Sequence, residues 1–187
     1  MAGITEKCVE IYSRTQDVGA VARETNLLWH IAYIHLKKAK VLNVETRIVS
    51  GSPNDRMGAW YEREFARIVP SARSANDRKP QNSFDYLVGE AKVEIKSSSL
   101  YEYEKDAPHW KFCVYSRRTK IRTADYYVCF GRQDKTDLNR YIIFLFPAEV
   151  LTTGNVTVRL DGRNNWSQFQ IEPDDLQAFF DTLAEVE

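Results

Sequence analysis

FDYLVGEAKVEIKSSS, residues 84–99, is the stretch whose reading decides the fold. Two short β-favouring runs, FDYLV and KVEIK, flank Gly89-Glu90, and that composition predicts a tight hairpin. Side chains alternate across a strand, so Val93 and Ile95 face one side, into a core. Glu94 and Lys96 face the other, about 7 Å apart by the strand rise. Asp85, near the start of the first strand, reaches the same region if the hairpin pairs in the register its short turn sets. An Asp, a Glu and the backbone carbonyl of Ile95 make the hard oxygen environment that magnesium takes. Lys96 beside them reads in two ways. It is half of an ordinary strand ion pair with Glu94, or it is a cation that orients water and stabilises developing charge beside a metal-polarised phosphate.

Upstream, residues 57–70 predict a helix ended by Pro70. Gly58, Glu62, Phe65, Ala66 and Val69 recur at spacings of three and four, which turns Glu62 toward the sheet and leaves Glu64 as the solvated acid. Asp85, eight intervening residues, then Glu94-Ile95-Lys96 between apolar strand residues resembles the PD-(D/E)XK nuclease superfamily. Gly58-Ala59-Trp60-Tyr61-Glu62 is similar to the GxxxE signature of that superfamily's upstream helix. Ser83-Phe84 stands where the proline that names the motif would be. The resemblance spans most of residues 57–146. It implies a restriction-endonuclease-like α/β core, a central mixed sheet flanked by helices. It also implies catalytic roles for Glu62, Asp85, Glu94 and Lys96, with Mg2+, or Mn2+ in its place, on Asp85, Glu94, the Ile95 carbonyl and Glu62.

The first 43 residues read as a small all-α module. Ile4, Cys8, Ile11 and Tyr12 form a helical stripe, and Asp17 can cap a second short helix, VGAVARE. Thr25-Asn26 breaks it before LLWHIAYIHLKKAK, in which Leu27, Ala32 and Leu36 point inward. Short helix, brief turn, longer helix resembles a helix-turn-helix, with Thr25-Asn26 in place of the usual turn glycine. That likeness makes Trp29, His30, Tyr33, Lys37 and Lys38 candidate DNA contacts; a plain three-helix packing unit is the other reading of the same pattern. Residues 44–56, VETRIVSGSPNDR, are rich in turn formers and read as a linker, leaving 57–187 as the nuclease-like domain.

Formal net charge is zero, 26 basic against 26 acidic side chains, which argues against a protein that simply coats nucleic acid. The local balance is uneven. Residues 105–148 carry nine basic and four acidic side chains; residues 149–187 carry two and eight. Arg117, Arg118, Lys120 and Arg122 in the basic part are candidate phosphate contacts, with two solvated faces of opposite sign as the alternative. Cys8, Cys113 and Cys129 are widely spaced and read as reduced packing residues of an intracellular, cytoplasmic protein. No basic-then-apolar leader and no apolar run of membrane-spanning length is present. His30 and His35, five apart on a helix, share no face, and His109 reads as a loop residue.

Downstream, 110–114 alternate as a strand would, although the superfamily pattern places a helix between the lysine strand and the next. ADYYVCFG (124–131) and YIIFLF (141–146) read as buried strands. VTVRL and SQFQI follow as two more, and residues 173–186 as a closing amphipathic helix with Leu176, Phe179, Phe180 and Leu183 inward. The expected activity is sequence-specific, Mg2+-dependent endonucleolytic cleavage of double-stranded DNA by a homodimer, of restriction or homing type. A structure-specific junction or repair nuclease, and a catalytically silent helix-turn-helix regulator, are the two alternatives.

Overall fold

The structure, a computed structural model, describes residues 3–75, 84–103, 106–115 and 123–185. Three short helices come first: α1 (Ile4–Thr15), α2 (Val18–Thr25) and α3 (Trp29–Lys38). The Asp17 side chain accepts from the Gly19 N–H at 2.7 Å and so caps α2. Asn26 closes that helix at φ 55°, supplying the left-handed turn residue that glycine would otherwise provide. Cys8, Ile11, Tyr12, Val21, Ala32 and Leu36 form the unit's buried core. Ile4, expected on the inner stripe, is exposed at the first position of α1.

Residues 44–56, read as a linker, carry two helical stretches on either side of Gly51-Ser52. Asn43 accepts from the Thr46 N–H at 2.7 Å and starts α4 (Val44–Ser50), and Ser52, Pro53 and Asp55 together start α5 (Pro53–Ile68) with a capping box. The helix bearing Glu62 therefore begins about one turn before the expected Met57.

After β1 (Arg73–Ser74), the hairpin forms as read from sequence. β2 (Tyr86–Val88) and β3 (Ala91–Ser99) pair antiparallel with Tyr86 opposite Val93 and Val88 opposite Ala91. Gly89, at φ 57°, takes the first central position of the turn, where the strand twist favours a glycine at positive φ. β4 (Tyr101–Tyr103) and β5 (Asp106–Cys113) follow, then β6 (Tyr126–Arg132) and β7 (Tyr141–Pro147). A 3-10 turn (Ala148–Val150), β8 (Asn155–Arg159), β9 (Gln170–Ile171) and α6 (Pro173–Glu185) complete the described chain. SQFQI is only marginally a strand: Asn165–Phe169 is a 3-10 turn and pairing begins at Gln170.

One sheet runs β1-β2-β3-β6-β7-β9, mixed because β3 and β6 are parallel and its other pairs antiparallel. Among the described residues, the helices cover only one of its faces. α5 and α6 cover one face through Tyr61, Phe65, Ile68, Leu176 and Phe180, packed on Val93, Ile95, Val128 and Phe130. A second sheet, β4-β5-β8, covers the other face. Trp110, Phe112, Val156 and Val158 pack there on Tyr127, Cys129, Phe144 and Phe146. The period of two at residues 110–114 is thus a true strand signal, and a helix over the described part of that segment is ruled out. His109 lies within β5, stacked on Tyr101 at 5.6 Å, rather than in a loop.

Candidate functional site

β3 carries Glu94 and Lys96 on the face opposite Val93 and Ile95, as alternation requires. The Lys96 ammonium donates to Glu94 Oε1, so the strand ion pair forms. Asp85, just before β2, is held by the sheet itself: its Oδ2 accepts from the Ile95 N–H at 2.8 Å. Glu62 comes from the buried face of α5, and Tyr86 donates from its hydroxyl to the Glu62 carbonyl oxygen at 2.9 Å, tying helix to hairpin. Glu62 as a residue is only 8% exposed, and its carboxylate accepts from Arg47 Nη2.

Packing these acids together has an electrostatic consequence. Burial and the charge of Asp85 push Glu62 up to about 7, against which Arg47 and Lys96 act only in part. Burial and Asp85 likewise push Glu94 up to about 7 despite its contact with Lys96. Burial raises Asp85 as well, opposed by the Ile95 N–H and by the charges of Lys96 and Arg47. Burial alone would lower Lys96, but the charge of Glu94 and the hydrogen bond to it carry the ammonium above its ordinary value. The four residues singled out from sequence therefore share one electrostatic cluster. Among the described residues, no three His, Cys, Asp or Glu side chains are gathered closely enough to hold a metal ion as they stand. Glu62 and Glu94 are drawn instead to Arg47 and Lys96.

Arg47 is the site residue that the sequence reading missed. It falls in α4, inside the stretch read as a linker. The cap signal Asn43 could have revealed the helix, but nothing in the spacing links Arg47 to Glu62, fifteen positions on. A cavity of about 590 Å3 opens here, lined by Tyr12 of α1, Gln16 at its C-terminal cap, Asn43, Arg47, Glu62 and Asp85. The N-terminal helices thus form one wall of the acid site. The Tyr12 hydroxyl accepts from the Asn43 N–H at 3.2 Å and bonds the Thr46 hydroxyl at 3.0 Å, fixing α4 against α1. A second cleft, about 650 Å3, runs past the end of β3, with Asn54, Ser97, Ser99, Lys111 and Lys135 on its walls.

The candidate DNA contacts of α3 divide. Trp29, His30 and Lys38 are exposed. Lys37 is exposed but paired with Asp55 of α5. Tyr33, by contrast, is 9% exposed, part of the module's core and stacked on Trp29 at 5.4 Å, so it faces inward rather than toward a groove. Arg117, Arg118, Lys120 and Arg122 lie outside the described residues. Glu64, expected to be solvated, accepts from the Tyr141 hydroxyl at 2.6 Å and pairs with Arg67. Cys8 and Cys129 are buried as expected of packing residues, Cys113 is exposed, and all three are free thiols. No helix of the described residues is long and apolar enough to cross a membrane.

No family model matches the chain, and no curated protein matches it. A solved structure of a bacterial homing endonuclease is similar at 16% identity and a TM-score of 0.46, over 73% of this chain and 99% of that one. At that level of likeness, function has to be read from the side chains themselves.

Proposed function

We propose that the chain is a metal-dependent DNA endonuclease that hydrolyses phosphodiester bonds at specific sequences, of restriction or homing type. One observation carries the reading: Glu62, Asp85, Glu94 and Lys96, from a helix and a hairpin, converge on one electrostatic cluster beside an open cavity. Two of its acids are pushed up to about 7 by burial and by Asp85. Structural ion pairs alone would not favour crowding three carboxylates around two cations.

The donor set fits a hard divalent cation in kind, since carboxylates and a backbone carbonyl are what such ions take. Their spacing requires Glu62 and Glu94 to turn from their present partners. Asp85, Glu94, Glu62 and the Ile95 carbonyl are the groups that would hold Mg2+ or Mn2+. A divalent ion bound there supplies positive charge to the phosphate and acidity to a water. Asp85 is already oriented by the Ile95 N–H. Lys96 keeps its proton next to Glu94, so it acts as a fixed positive charge that orients water and steadies the phosphate oxygens rather than as a base. Trp29, His30 and Lys38 on the outer face of α3 supply the base-reading contacts in this proposal. A double-strand cut needs two such sites, hence a homodimer.

The test is to incubate the protein with mixed plasmid and phage DNA in Mg2+ beside a Lys96→Ala control. Discrete fragments from the unsubstituted protein, and none from the control, are expected. Intact DNA, or equal cutting by the control, would overturn the proposal.

A further inference from the structure

Arg47 uses only part of its guanidinium. Its Nη2 donates to Glu62, while its Nε is buried and has no hydrogen-bond partner. A guanidinium is a planar fork suited to two parallel bonds with a carboxylate or a phosphate, and leaving one donor dry is unfavourable. The contact with Glu62 is therefore an incomplete use of the group. Arg47 is also the one cation among the described residues lining the 590 Å3 cavity, where Ser13, Gln16 and Asn43 add neutral hydrogen-bonding groups beside the acids Glu45, Glu62 and Asp85. A lone fork cation with one donor unpartnered, beside acids that a bound cation would neutralise, suits a ligand that carries one negative charge and two equivalent oxygens.

We infer that Arg47 is a phosphate-binding residue of this cleft. In the free protein it neutralises Glu62; when a nucleic-acid strand enters, the fork turns to two non-bridging oxygens of a phosphodiester, and Glu62 is released. This rests on the nuclease reading above and adds to it a residue, a ligand group and a role for the N-terminal helices, because α4 is what delivers Arg47 to the site. The exchange is also how Glu62 becomes free for a cation without leaving a buried charge unpaired.

The experiment uses the full chain, Arg47→Ala and Arg47→Lys, with a labelled DNA duplex in Ca2+ in place of Mg2+ across a range of salt. Mn2+ binding is followed by paramagnetic resonance in the absence of DNA. Arg47→Ala is expected to weaken duplex binding about tenfold. It should also make the dependence of log affinity on log salt shallower by about one. At the same time it should tighten Mn2+, since an internal competing cation is gone. Arg47→Lys keeps the charge opposite Glu62 and serves as the second variant if the alanine one does not fold. It should keep the salt slope and lose several-fold in duplex affinity, because the fork is missing. Unchanged duplex affinity in both variants, or Mn2+ binding that weakens in step with the melting temperature, would overturn the inference and mark Arg47 as a structural partner only. If the unsubstituted protein binds no duplex at low salt, the nuclease reading falls with it; a normal duplex affinity with no response to Arg47 sinks this inference alone.

Discussion

Raising the pH of the metal-free protein from 5.5 to 8 should loosen its fold, against the usual behaviour of paired carboxylates. Glu62 and Glu94, ordinarily near 4.5, are each held near 7, chiefly by burial and by Asp85. Between those two values the folded chain binds more protons than the unfolded one, so stability falls as pH rises through the window. One carboxylate moved that far corresponds to about 2 kcal/mol between pH 5.5 and 8, the first unit above 4.5 being already lost at pH 5.5. Asp85 acts in the same direction, and because the three interact their effects do not add in full. Lys96 is raised, so what it contributes is complete below the ordinary lysine value and is lost only as pH climbs past its folded one, above the window. Asp55 and Glu64 are lowered, so their contributions are lost only as pH falls below the window. Urea unfolding in EDTA at pH 5.5, 6.5, 7.5 and 8 measures the slope, and for a chain this size about 2 kcal/mol corresponds to a melting shift of roughly 4–8 °C. Glu94→Gln, which removes one of the two titrations, should flatten the curve substantially. A stability that is level or rising from pH 5.5 to 8 would refute the electrostatic picture of the site.

Three substitutions test other parts of the structure. Lys96→Ala should abolish DNA cutting while the protein still folds, read by plasmid relaxation alongside circular dichroism. Gly131→Ala would bring a Cβ to 2.9 Å from the buried Trp110 ring, whose Nε1 donates to the Arg132 carbonyl oxygen; a loss of about 1–3 kcal/mol is expected in urea unfolding. Gly58→Ala, in the middle of α5, meets nothing within 4 Å. It should therefore stabilise the helix by roughly 0.5–1 kcal/mol in the same assay, and a destabilisation would contradict the open space at that position.

The hairpin was legible because its signals are local: a period of two, a glycine between the runs, and a register that the turn length fixes. The same holds for β6, β7 and the inward stripe of α6. What misled was also local. Gly51-Ser52-Pro53-Asn54 reads as turn chemistry, yet Ser52, Pro53 and Asp55 are equally the cap, first residue and box partner of a helix, and the apolar run beyond them decides between the two. At 110–114 the alternation was correct, and the expectation of a covering helix was the weaker guide. The second sheet is stable there because Trp110 and Phe112 bury fully against Phe144. The partners of the site were not legible. Arg47 with Glu62 and Lys37 with Asp55 join residues fifteen and eighteen positions apart on different helices, and no periodicity links them.

Those two ion pairs change what the N-terminal helices are for. A reading head on a flexible tether would leave the acid site unaffected by its removal, but here α4 and α5 are joined by Arg47 to Glu62, and α3 to α5 by Lys37 to Asp55. The cluster's formal charge shows the consequence. Glu62, Asp85 and Glu94 stand against Arg47 and Lys96, a net of −1 when all are ionised. One proton neutralises that excess, while burial and the charge of Asp85 are what hold the protons of Glu62 and Glu94 up to about 7. A divalent cation would carry the same cluster to +1, and a phosphodiester, with its single negative charge, would return it to zero. Without Arg47 the cluster starts at −2, so a divalent ion alone would neutralise it and leave no residual attraction for the phosphate. If the cluster takes a cation as proposed, the charge that α4 delivers would separate a site that merely binds that cation from one that needs both cation and phosphate to be neutral.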